Sequence, residues 1–116
     1  MKGGAPGHGA LRLTPETEAG KETFTDNFSF DGATLARAEY TNHRLLYVTP
    51  ELKEDLHISG VPRVTIRLAS SKPAANLSVW LVSLPWEEGR RTKITDNIIT
   101  RGWADPQNHA SIRDSE

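Results

Sequence analysis

Between residues 44 and 84 the chain returns three times to a two-residue alternation, and a glycine or proline interrupts it each time. This constrains the fold more than any other feature. Residues 63–70 place Val64, Ile66 and Leu68 on one side and Thr65, Arg67 and Ala69 on the other, the pattern of a strand with one covered face. Residues 76–84 alternate Leu77, Val79 and Leu81 against Trp80, Val82 and Leu84. Both faces are apolar there, as in a strand covered on two sides. Residues 44–49 form a β-favouring run closed by Pro50, and residues 55–59 alternate Leu56 and Ile58 against His57 and Ser59 before Gly60.

Shorter pieces fit the same scheme. Leu11-Arg12-Leu13 reads as an edge strand, and residues 92–95 and 98–101 as two more short strands. Glu87-Glu88-Gly89-Arg90 is a hairpin turn. Residues 1–10 are glycine-rich and read as a flexible lead-in to a sandwich domain over residues 11–116. Residues 14–26 read as a loop, with a helical turn from Pro15 capped by Thr14 as its only helical option. Phe24, Phe28 and Phe30 are spaced either to pack rings onto a core or to anchor a loop. No segment has a convincing 3.6-residue period. Many short strands with Gly/Pro joints predict an all-β sandwich or barrel.

Composition excludes several functions. The 116-residue chain is one domain or less, and a net charge of -1 gives no electrostatic reason to expect nucleic acid or an anionic membrane surface. With no cysteine there is no disulfide, zinc-thiolate site or thiol nucleophile. No apolar run approaches a membrane span and the start has no signal-peptide core, so the expected location is the cytoplasm.

The joints carry a recognisable phrase: Tyr47-x-Thr49-Pro50-x-Leu52-x-Glu54-Asp55, then Gly60-x-Pro62 and the Val64/Ile66/Leu68 alternation, with Ile98-Ile99-Thr100-Arg101-Gly102-Trp103 further on. Over residues 24–110 this resembles the C-terminal non-catalytic domain of the Xaa-Pro dipeptidyl-peptidase family, which also occurs in acyl esterases of the cocaine esterase type. The resemblance implies a jelly-roll (galactose-binding-like) β-sandwich, incomplete in this chain, because the family's sandwich continues with further strands. It implies a parent serine hydrolase, peptidase or esterase, whose α/β-hydrolase catalytic domain is the expected partner. An incomplete sandwich exposes strand edges and an apolar face, so completion by another copy, giving a homo-oligomer, is a second expectation.

No catalytic residue is assigned. A G-x-S-x-G elbow is absent, and His8, His43, His57 and His109 are scattered. No cofactor is expected. Glu51, Glu54 and Asp55 could offer oxygens to Ca²⁺, which takes roughly six to eight. A solvated turn explains them as well, and no metal is assigned. Asp96-Asn97 is read likewise as a turn.

The candidates for a domain contact or for ligand stacking are Trp86, Glu87, Arg90, Arg91 and Trp103. Trp86 follows Pro85 at a strand end beside the charged turn, and Trp is enriched at interfaces. Trp80 reads as core. A freestanding carbohydrate-binding module, with Trp86 or Trp103 as the stacking platform, and a purely structural assembly module are the alternatives.

Overall fold

The computed structural model describes residues 4–86 and 97–108. The chain divides into two compact units, Met1–Ser59 and Gly60–Glu116. The all-β class holds: among the described residues strands dominate the regular structure, and the helical elements are two short pieces.

In the first unit, β1 (Gly9–Ala10) pairs in parallel with β2 (Tyr47–Val48), with Gly9 opposite Tyr47 and Ala10 opposite Val48. Leu46 donates to the Ala5 carbonyl at 2.8 Å, Gly9 to Leu46 at 2.9 Å and Leu11 to Val48 at 2.8 Å. The expected edge strand at residues 11–13 therefore lies two residues earlier, and only the Leu11 amide joins it. The strand expected over residues 44–49 is shortened to Tyr47–Val48, the two residues that face a partner strand.

From Gly4 onward the lead-in makes main-chain hydrogen bonds. Gly7 donates to the Gly4 carbonyl at 2.9 Å, closing a turn, and Ala5 is fully buried. Main-chain hydrogen bonds to the rest of the unit satisfy its polar backbone groups.

Between the strands lies α1 (Gly32–Arg37), which the sequence did not announce. Six residues are under two turns, too short for a helical period to appear. Its local signal is the cap. Asp31 has extended backbone, and its carboxylate accepts from the Thr34 amide at 2.7 Å. The option of a helical turn at Pro15 is not taken, and residues 14–26 stay irregular. Phe30 stacks on His43 with ring centroids 5.3 Å apart, whereas Phe28 is almost wholly exposed. Of the three rings, Phe30 is thus a loop anchor.

In the second unit, β3 (Leu77–Val82) and β4 (Ile98–Ala104) form an antiparallel pair. Both strands were expected; β4 runs three residues further than the sequence reading. Val82 faces Ile98 while Leu81 faces Thr100, so Ile99 is an extra residue in the ladder, a β-bulge. Past β4, a 3-10 turn (Pro106–Asn108) is closed by Asp105, whose carboxylate accepts from the Gln107 amide at 2.9 Å. Gln107 also donates through its side chain to the Pro73 carbonyl.

Residues 55–59 and 63–70 form no ladder among the described residues. Alternation prepares a segment for a sheet, but a strand exists only when a neighbour takes its hydrogen bonds. Val64 is 59% exposed, Ile66 55% and Leu68 41%, so the predicted inner face is uncovered. Gly60 starts this segment at φ 112°, a conformation that favours glycine. Trp80, expected in the core, is half-buried. Among the described residues Ala5 is the only buried apolar residue. The strand at residues 92–95 and the turn at residues 87–90 lie outside the described residues.

Candidate functional site

Antiparallel pairing puts directly opposed residues on one face of a sheet. In the β3–β4 pair Ser78 opposes Trp103 and Trp80 opposes Arg101, so these four side chains share a face. The Arg101 guanidinium lies over the Trp103 ring, 4.9 Å from its centroid, a cation–π arrangement. Trp103 is 68% exposed, and Arg101 is exposed too. The Trp80 indole N–H donates to the Ser78 hydroxyl at 2.7 Å, which satisfies its polar edge on the face itself. Among the described residues no carboxylate pairs with Arg101. The result is a sheet face that sets an exposed aromatic ring and a cation side by side.

Of the residues singled out from sequence, Trp103 stands on this face. Trp86 is half-buried beyond β3, after a cis Leu84–Pro85 bond. No ring or hydrogen-bond contact joins it to Trp103 among the described residues. Glu87, Arg90 and Arg91 lie outside the described residues. Glu51, Glu54 and Asp55 are all exposed, and Lys53 approaches Glu51 at 3.7 Å. Among the described residues no three His, Asp or Glu side chains converge as a metal site would require.

Sequence reading missed Arg101 and Asn97 in the second unit and the role of Arg44 in the first. Arg101 sits two residues before Trp103 on the same strand, which is the signal that would have found it. Asn97, read as half of a plain turn, is buried. Its side-chain amide donates to the Ser83 carbonyl at 3.0 Å and to the Pro85 carbonyl at 3.3 Å, bracing the end of β3. Arg44 was read as the first residue of a strand and is instead a partly buried cation bonded to main-chain carbonyls. Burial pushes its guanidinium below its ordinary value. Tyr47 ionises above the usual phenol range, first because of burial and second because of the Glu22 carboxylate. Glu22 also accepts from the Ala5 amide at 3.3 Å. His43 is held structurally, its Nδ1 lying 2.8 Å from the Thr25 carbonyl oxygen. No helix among the described residues is long and apolar enough to cross a membrane.

Comparison with known proteins agrees with the phrase at residues 47–68. Residues 4–116 match the family described as the X-Pro dipeptidyl-peptidase C-terminal non-catalytic domain. A protein of Rhodopirellula baltica with the provisional name Xaa-Pro dipeptidyl-peptidase is 65% identical over 113 residues, which is 97% of this chain and 18% of that protein. A similarly named protein of Bacillus cereus is 37% identical over 73 residues, covering 63% of this chain and 11% of its own length. The Xaa-Pro dipeptidyl-peptidase of Pediococcus pentosaceus is 36% identical over 62 residues, covering 53% of this chain and 8% of its own length. The chain thus spans less than a fifth of each of these relatives. No solved structure matches it. With a family match across nearly its whole length, the chain belongs to the X-Pro dipeptidyl-peptidase C-terminal non-catalytic domain family.

Proposed function

We propose that this chain is part of a jelly-roll accessory domain in a larger serine hydrolase. It packs there against an α/β-hydrolase catalytic domain and shapes the rim of the substrate pocket. The parent's reaction would be release of Xaa-Pro dipeptides, or ester cleavage in the esterase branch. The observation that carries the docking role is the uncovered face of Trp103, Arg101, Trp80 and Ser78. A Trp ring backed by an Arg is a common energetic centre of an interface, worth on the order of 2 kcal/mol or more when truncated. Glu87, Arg90 and Arg91, which follow Trp86 in the sequence, remain candidates for the same contact.

The test compares the isolated chain with the full-length parent. The isolated chain should not turn over Xaa-Pro chromogenic substrates. In the parent, the emission of Trp103 should shift to the blue and resist acrylamide quenching relative to the isolated chain. Trp103→Ala should weaken attachment of the domain to the parent's catalytic portion. Equal quenching of Trp103 in both forms would remove the docking role. Hydrolysis by the pure isolated chain, lost on treatment with a serine-directed inhibitor, would remove the accessory role.

The same exposed ring supports a second reading, a carbohydrate-binding module in which a sugar stacks on Trp103. Dose-dependent glycan binding abolished by Trp103→Ala would favour it over domain packing. A blank glycan array would leave packing in place.

A further inference from the structure

Arg44 is half-buried in the first unit, and every hydrogen bond the structure gives its side chain goes to a main-chain carbonyl. Nε donates to Leu35 at 3.0 Å, and Nη2 donates to Ala38. Nη1 is shared among Ala5 at 3.2 Å, Pro6 at 3.0 Å and Gly7 at 2.8 Å. Two of these carbonyls belong to the last turn and cap of α1, where unsatisfied carbonyls and the helix dipole favour a cation. The other three are consecutive residues of the segment that leads into β1. One rigid, planar fork therefore joins two stretches about thirty residues apart in the chain.

Residues 4–10 read Gly-Ala-Pro-Gly-His-Gly-Ala and bring almost no apolar surface with which to hold themselves. Their hold is polar. Besides the Arg44 bonds, the Thr41 amide donates to the Pro6 carbonyl at 3.0 Å, and the Leu46, Gly9 and Leu11 amides complete the attachment to β2. Those amide bonds require the carbonyls of Ala5 and Pro6 to face inward. Arg44 supplies the charge that turns three successive carbonyls the same way.

We propose that Arg44 is the lock of a strap: its guanidinium clamps residues 5–7 onto α1, and this clamp holds β1 on the edge of β2. Opening it releases the strap and bares the β2 edge, a site for strand addition. A lysine keeps the charge but offers three donors from a single nitrogen, so it cannot serve both sides of the clamp.

The experiment is residue-resolved amide exchange on the full 116-residue chain, with wild type, Arg44→Lys and Arg44→Ala compared. In Arg44→Lys the amides of Gly9, Leu11 and Leu46 should exchange at least about tenfold faster, while the Ser83 amide at the end of β3 keeps its rate. In Arg44→Ala the same three amides should regain protection on adding guanidinium at tens of millimolar, far below its denaturing range. Methylammonium at the same concentration should not restore it. Unchanged exchange at Gly9 and Leu11 in Arg44→Lys would overturn the proposal. So would a matching acceleration at Ser83, which marks general unfolding, or equal rescue by the two cations.

Discussion

The clearest pH-dependent residue is Asp31. Its carboxylate sits below the ordinary carboxylate range, first because the Thr34 amide donates to it and second because the Thr34 hydroxyl does. Loss of solvent contact opposes this, and Arg37 adds a smaller favourable pull. The folded value is depressed, so the stabilisation of α1 is fully present above the unfolded value. It is lost as pH falls through the folded one. Asp31→Asn retains an N-cap acceptor without a titrating group. The protection of the Thr34 amide should therefore fall in acid for the wild type and stay flat for Asp31→Asn, with Asp31→Ala low at every pH. A wild-type profile flat down to acid would refute the assignment. Gly9 offers a steric counterpart. A Cβ there would meet the Tyr47 ring at 2.9 Å and the Ala5 Cα at 3.3 Å. Gly9→Ala should cost about 1–3 kcal/mol. Most of that cost should vanish in a Tyr47→Ala background, because the ring is the nearer obstacle, and a double-mutant cycle measures the difference.

At the level of elements, β3 and β4 form the longer of the two ladders among the described residues, and Asn97 closes it. The Ser83 amide donates to the Asn97 carbonyl at 2.8 Å, while the Asn97 side chain returns bonds to Ser83 and Pro85. Asn97→Ala leaves two carbonyls without that donor and should cost about 1–3 kcal/mol, read as faster exchange at the Ser83 amide. Unchanged exchange there would mean that water replaces the side chain freely. The pair also explains what was legible in the sequence. Residues 76–84 alternate, residues 98–101 read as a short strand, and each has the other to bond to. Residues 63–70 alternate equally well, but a period of two says which face a side chain takes and nothing of which strand lies alongside. Trp103 was legible as an exposed aromatic, and Arg101 beside it was not weighed. Arg44 left no trace, because its acceptors are carbonyls that every residue carries. The family phrase at residues 47–68 was legible throughout, since it depends on residue types and needs no neighbour.

For the whole molecule, the decisive fact is the uncovered stripe of Val64, Ile66 and Leu68. Covering one such side chain stabilises by about 1.5–3 kcal/mol, comparable with a sizeable part of a domain's entire stability. This chain spans 18% of its Rhodopirellula baltica relative. On the accessory role proposed above, the stripe is expected to find its cover in the rest of a parent protein. A charge placed on the stripe separates the two situations. In the isolated chain Ile66 is 55% exposed, so Ile66→Asp should change stability little and should reduce binding of an apolar dye. In the full-length parent the same substitution would bury an unpaired carboxylate among apolar groups. It should cost several kcal/mol or prevent folding of the domain. Denaturant unfolding of both forms, with and without the substitution, reads the contrast directly. Equal small effects would mean that the stripe faces water in the parent as well. An equally severe loss in the isolated chain would mean that this chain, or a second copy of it, already supplies the cover.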